Sequence, residues 1–247
     1  VVWKDGKVFV IGGVRDNDSL DDVLESSDGI NWSTATKSAP FGRRSYLGAV
    51  VFNEQIIIVG GFRLGAPGNV LADVWRSADG RDWQLVSDQV NWEAREHHGL
   101  VVFRDHIYLF GGLTYKDPDP NSRYRAFSDV WRSRDGKDWQ LVTDKAPWGT
   151  RRGFGFAVYQ DRIWLVGGLD SYDKLHNDVW SSVDGETWIQ HTKAASWAAR
   201  SGVSTIAFNG KLWLFGGWCG YGCDQASDIW SSSDGENWQQ LSPHGAF

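Results

Sequence analysis

The chain has 247 residues, 29 of them Gly and 16 Trp, with a formal net charge of −6. No run of Lys or Arg exceeds two residues, so the basic footprint of a nucleic-acid-binding protein is missing. No apolar stretch is long enough to span a bilayer, and the aromatic and β-branched content without helical periodicity predicts an all-β protein.

Val1-Val2-Trp3 already reads as the end of an apolar strand, and no signal peptide is visible ahead of it. From there the order Gly-Gly, Asp, Trp recurs, closed in four stretches by an Arg. Asp to Trp is always ten residues: Asp22–Trp32, Asp73–Trp83, Asp129–Trp139, Asp178–Trp188 and Asp228–Trp238. Trp to Arg is always twelve, reaching Arg44, Arg95, Arg151 and Arg200, and each Arg precedes the next Gly by sixteen. Only the stretch from Gly to Asp varies, through ten, thirteen, eighteen, eleven and twelve residues. A fixed frame with unequal loops is how a scaffold displays a binding surface.

Each repeat predicts four antiparallel strands. The first is apolar, as in Gly48–Phe52 and Gly99–Phe103, and a short polar turn follows it. The second is a β-branched and aromatic run (Ile56–Val59, Ile107–Phe110, Ile163–Val166, Leu212–Phe215) ended by Gly-Gly, where positive φ costs little. The third strand follows the variable loop and turns at Asp-Gly, a dipeptide favoured in tight hairpins. The fourth carries the Trp. An aromatic lies three residues before each Arg: Phe41, Trp92, Trp148 and Trp197. In a meander, the variable loops and these aromatic–Arg links share one end.

These motifs resemble the kelch-repeat β-propellers over essentially the whole chain. The resemblance implies one all-β domain over 1–247, a propeller of five four-stranded antiparallel blades, with repeats near 1–44, 45–95, 96–151, 152–200 and 201–247. It also implies that the first strands line a central channel. The Ser-x-Asp-Gly-x-x-Trp segment resembles the Asp-box of sialidase-like propellers but is one residue short of it, and is read as a hairpin turn only. Phe247 stops three residues before a fifth Arg, so the chain reads as cut from a longer one, and a sixth blade stays open as an alternative. A rival register joins His244-Gly245-Ala246-Phe247 to Val1-Val2 and breaks the constant spacing.

Asp22, Asp73, Asp129, Asp178 and Asp228 suggest either a ring of metal ligands or, preferred here, carboxylates that accept backbone N–H groups and close the turns. Arg44, Arg95, Arg151 and Arg200 carry two readings. Stacked on their aromatics, they lock neighbouring blades. Alternatively they make an electropositive mouth for a carboxylate or phosphate, thickened by Arg43 and Arg152 and diluted by Glu93 and Glu96. In some kelch proteins the matching Arg contacts an acidic peptide, and the resemblance implies the same role here. Non-repeating loop residues complete the candidate ligand contacts: Phe62, Arg63, Tyr115, Lys116, Arg123, Tyr124, Tyr172, His176, Trp218 and Tyr221.

Catalytic motifs are missing: there is no Gly-x-Ser-x-Gly, His-Glu-x-x-His or Cys-x-x-Cys. His97-His98 makes a poor chelate, because adjacent strand residues point to opposite faces. The expectation is a non-enzymatic, monomeric binding module without cofactor or metal, for an acidic peptide, a protein or a glycan. Two alternatives remain: a sugar-active enzyme (mutarotase, epimerase or glycosidase-like) using an Arg and a carboxylate such as Asp16, Asp18, Asp170 or Asp173, and an architectural propeller. Cys219 and Cys223 form either a local disulfide, which suits a secreted protein, or two free thiols.

Overall fold

The β-branched and aromatic runs form strands as the pattern predicts. The computed structural model describes residues 1–65, 69–115, 123–221, 223 and 225–243. Lys116 and the His244–Phe247 segment lie outside them. The chain is all-β, with five four-stranded antiparallel blades, and has the β-propeller fold.

The first sheet holds Val2–Lys4, Lys7–Arg15, Asp18–Ser26 and Ser33–Thr36; the second holds Gly48–Phe52, Gln55–Phe62, Val70–Ser77 and Gln84–Ser87. The third holds Gly99–Phe103, His106–Phe110, Val130–Ser133 and Trp139–Thr143. The fourth holds Gly155–Tyr159, Arg162–Leu169, Leu175–Ser182 and Trp188–Thr192. The fifth holds Ser204–Phe208, Lys211–Phe215, Ile229–Ser232 and Gln239–Ser242. A two-stranded ribbon, Leu113–Thr114 with Arg125–Ala126, rises from the longest variable loop. Two compact units contain these elements: Val1–Ile107 with Arg132–Gln140, and Tyr108–Trp131 with Leu141–Phe247.

Gly-Gly does more than end a strand. In three sheets the second strand runs through it with a register shift, at Ile11/Gly13, Val59/Gly61 and Val166/Gly168. The first glycine of the pair has φ near +60° and abuts a backbone carbonyl. A Cβ at Gly60 would stand 2.7 Å from the Arg95 oxygen, and one at Gly12 2.5 Å from that of Arg44. The bulge therefore brings two backbones closer than any side chain permits.

Four of the five repeated Trp residues meet the aromatic of the preceding link edge-on. Phe41–Trp83, Trp92–Trp139, Trp148–Trp188 and Trp197–Trp238 have centroids 5.0, 5.9, 5.8 and 6.0 Å apart, at 81–86°. Quadrupoles favour that edge-to-face arrangement, and these four tryptophans are buried. Trp32 is 42% exposed. The fifth sheet is similarly open, with Ile206 48% and Phe208 65% exposed.

The Ser-x-Asp-Gly-x-x-Trp segment is the expected hairpin turn, built alike five times. Ser182 Oγ accepts the N–H groups of Asp184 (3.2 Å) and Gly185 (2.7 Å); Asp184 Oδ1 accepts those of Glu186 (2.9 Å) and Thr187 (2.8 Å). The Trp188 indole closes the turn on the Gly185 carbonyl at 2.9 Å. Burial alone would raise the Asp234 carboxyl, but the Asn237 side chain and the N–H groups of Asn237 and Glu236 outweigh it and hold it at about 2. At Asp28 the Asn31 side chain, then the N–H groups of Asn31 and Ile30, drive the same lowering.

A folded-state pKa below the unfolded one gives stability that is present above the unfolded value, here 3.8, and is lost as pH falls through the folded value. The urea midpoint should therefore hold above pH 4 and decline towards pH 2, and Asp234→Asn should flatten that decline.

Candidate binding site at the loop ends

The repeated Arg residues come first, because they fix the ends of the loops. Arg44, Arg95, Arg151 and Arg200 are 0, 0, 2 and 1% exposed. Arg44 forks onto Asp73 of the following repeat, with Nη1–Oδ1 2.8 Å and Nη2–Oδ2 2.9 Å. Arg151 forks onto Asp178 in the same way, and Arg200 onto Asp228. Arg44 also donates to the Gly60 carbonyl at 3.2 Å, Arg151 to Gly167 at 3.2 Å and Arg200 to Gly216 at 3.0 Å. Their own carbonyls face the other way: Arg44, Arg151 and Arg200 accept the N–H of Gly13, Gly112 and Gly168 at 2.8–2.9 Å. One residue thus stitches two successive repeats through both its backbone and its side chain. Arg95 accepts from Gly61 at 3.0 Å, donates Nε to the Glu93 carbonyl at 3.1 Å and lies 5.9 Å from the Trp92 ring centroid.

One sequence expectation changes here. The carboxylates of Asp73, Asp178 and Asp228 take guanidinium and indole donors rather than the backbone N–H groups of a turn. Trp75, Trp180 and Trp230 donate to them at 2.7–2.8 Å, and Trp131 donates to Asp129 at 2.7 Å. The four Arg side chains, expected either as locks between repeats or as ligand contacts, lie buried beside these partners. Among the described residues no group of three or more His, Cys, Asp or Glu is placed to hold a metal ion.

In the first unit, the loops meet the link around Arg43. Arg43 pairs with Asp18, and Arg63 Nε donates to the Arg43 carbonyl at 3.4 Å. Phe62 bridges to Ser45, with both backbone hydrogen bonds at 2.8 Å. Arg63 and Phe62 are half-buried rather than free-standing.

In the second unit a polar cluster forms. The Arg152 guanidinium lies 4.4 Å from the Tyr124 ring centroid and 3.5 Å from Asp173, to which the Tyr124 hydroxyl also donates. Burial, then the bond to Asp173, pushes the Tyr124 phenol above its ordinary value, so it stays a donor. Asp170 pins the adjoining turn: Oδ1 accepts the N–H of Tyr172 (2.8 Å) and of Lys174 (3.0 Å), and Oδ2 lies 3.0 Å from His176 Nε2. Burial opposes ionisation of Asp170, yet the Lys174 N–H and the His176 ring keep it below the ordinary range. At the tip of this turn Tyr172 is 90% exposed.

Tyr221 is fully exposed in the neighbouring loop, which the Cys219–Cys223 disulfide closes. Of the two expectations for these cysteines, the bonded one is found. Trp218 bridges to Ser201 and Gln225 at the base of this loop and meets Tyr221 edge-on at 6.1 Å. A Cβ on Gly220 would be 3.4 Å from Leu175, so the two loops touch. Tyr115 is half exposed and Arg123 exposed.

No family model matches the chain. Among its relatives are the N-acetylneuraminate epimerases of Salmonella enteritidis PT4 and Salmonella typhimurium, each 25% identical over 142 residues, 57% of this chain. The same enzyme of Salmonella typhi matches to the same extent. The chain spans 35% of the length of these relatives.

Sequence reasoning named Tyr124, Arg152, Asp170, Asp173 and His176 one by one but missed that they come together, and it missed Thr150 and Ser171. Thr150 and Ser171, 3.0 Å apart, and the Arg152–Tyr124 stack depend on long-range approach and leave no local signal. It also missed a left-handed position two residues after each Arg, held by Tyr46 (φ 54°), His97 (φ 53°), Gly153 (φ 58°) and Gly202 (φ 65°).

Arg151→Ala would leave the Asp178 carboxylate buried and stripped of its fork, a loss of about 3–5 kcal/mol. Arg152→Ala, at the partly exposed edge, should cost under about 1 kcal/mol. Urea denaturation of both variants checks the contrast.

Proposed function

We propose that this chain is a carbohydrate-binding module of kelch-type repeats, acting through the loops of its second unit. The observation that carries the reading is the pair of exposed tyrosines, Tyr172 and Tyr221, each presented by a braced loop. One loop is pinned by Asp170 and the other by a disulfide. Aromatic rings held at low conformational cost suit the apolar face of a pyranose. Around them Arg152, Tyr124, Asp173 and His176 supply donors and acceptors for hydroxyl and carboxylate groups. The relatives named N-acetylneuraminate epimerase support a sugar, and an acidic one, as ligand. An acidic peptide or protein ligand has no comparable support.

Calorimetric titration with sialyllactose tests the reading. Tyr172→Ala and Tyr221→Ala should each weaken binding about tenfold, the scale of a stacking contact at a hot spot, with unchanged Tm. Absence of binding by the unaltered chain would sink the proposal.

A sugar-active enzyme is the second reading, favoured by the His176–Asp170 pair. An ionised carboxylate beside an imidazole is the equipment of general acid–base catalysis. Under that reading His176→Gln abolishes turnover of a reducing sugar and keeps its binding; a chain without measurable anomer interconversion excludes it.

A further inference from the structure

Tyr46 and His97 occupy corresponding places in successive repeats of the first unit, and both are strained. Their φ values of 54° and 53° lie in the left-handed region, which penalises a residue with a Cβ. In the second unit Gly153 and Gly202 hold the same place. The backbone link is alike in both: His97 N–H donates to the Tyr46 carbonyl at 3.2 Å, and Gly202 N–H to that of Gly153 at 2.6 Å. Glycine therefore suffices for the local fold, and the two rings must be explained otherwise.

The rings stack on each other, with centroids 3.9 Å apart and planes 23° from parallel. Tyr46 is half exposed, so one side of the stack faces solvent. Below it the Glu96 carboxylate is buried, with Oε2 3.5 Å from His97 Nδ1, and neither atom has a hydrogen-bond partner. The next residue, His98, is buried and neutral, held down to about 3 by desolvation and then by Arg95 and His97. A stacked, half-exposed pair at positive φ, above a buried carboxylate with one unpartnered oxygen, is an arrangement that a ligand clamp retains.

We propose that Tyr46 and His97 form a second sugar platform, in the first unit. A pyranose ring lies against the exposed face of the stack, and His97, braced by Glu96, hydrogen-bonds a ring hydroxyl. The inference rests on the carbohydrate reading above and concerns residues that reading does not use.

The test restores the glycine used at the equivalent positions. Tyr46→Gly, His97→Gly and the double variant are titrated with sialyllactose and melted without it. The expected result is a Tm equal to or above that of the unaltered chain, since the positive-φ penalty is removed, together with at least fivefold weaker binding. In the unaltered chain saturation should pass between the sugar and the Tyr46 ring, and its absence overturns the platform. Unchanged affinity in these variants, with affinity lost in Tyr172→Ala, overturns the platform and leaves the proposed function standing. A lowered Tm overturns it too, by showing that the rings hold the fold. If the unaltered chain does not bind sialyllactose, both proposals fall.

Discussion

The buried Arg–Asp fork is the constraint on which the repeats depend. A guanidinium desolvated to this degree is tolerable only if most of its donors are satisfied; Arg44, Arg151 and Arg200 each spend their Nη groups on a carboxylate and a glycine carbonyl of the next repeat, while Nε of Arg44 and of Arg151 is buried without a partner. Their own carbonyls accept from the Gly-Gly of their own repeat. The geometry leaves no slack: one inserted residue between Trp and Arg, or between Arg and Gly, would pull the fork from its partner. That is the physical content of the constant spacings. Between Gly and Asp the chain is released from this bond, and there alone length varies.

The frame was legible because it repeats. Strand order, the Asp-Gly hairpins and the Trp packing all follow from residues that recur at fixed intervals, and five copies turn weak local preferences into a consistent pattern. The role of Asp73 was not legible, although its position was. Its partner Arg44 lies twenty-nine residues away, and a short carboxylate beside a turn reads locally as a cap. The Gly-Gly bulge was half seen: positive φ is a sequence-level expectation, whereas the approach of the Arg carbonyl is tertiary.

Candidate site residues divide along the same line. Tyr172 and Tyr221 were singled out because they break the repeat, and both are exposed. The four Arg residues were offered as contacts because Arg suits anions, yet their very recurrence was the sign of a framework role. Tyr46 escaped notice, and His97 was weighed only as half of a chelate, because their peculiarity is a backbone angle, which a sequence reveals only when glycine holds it. Both loops that carry exposed tyrosines are pre-set by bonds within themselves, Asp170 in one and a disulfide in the other, so presentation of the rings does not depend on a ligand to order them.

The hairpin glycines carry one further consequence. Gly80 lies against Phe9, Gly185 against Tyr108 and Gly235 against Trp164, each pressed onto a ring of the preceding sheet. A Cβ at Gly185 would stand 2.6 Å from the Tyr108 ring. These three turns are thus moulded to a side chain of the sheet before, and the sheet is not the interchangeable part of this molecule. A recombinant that swaps whole sheets at the links would pair a turn with a ring it was not shaped for. Ring and turn lie 71 residues apart in two of these pairs and 77 in the third, more than one repeat, so the smallest module that keeps them together is two successive sheets.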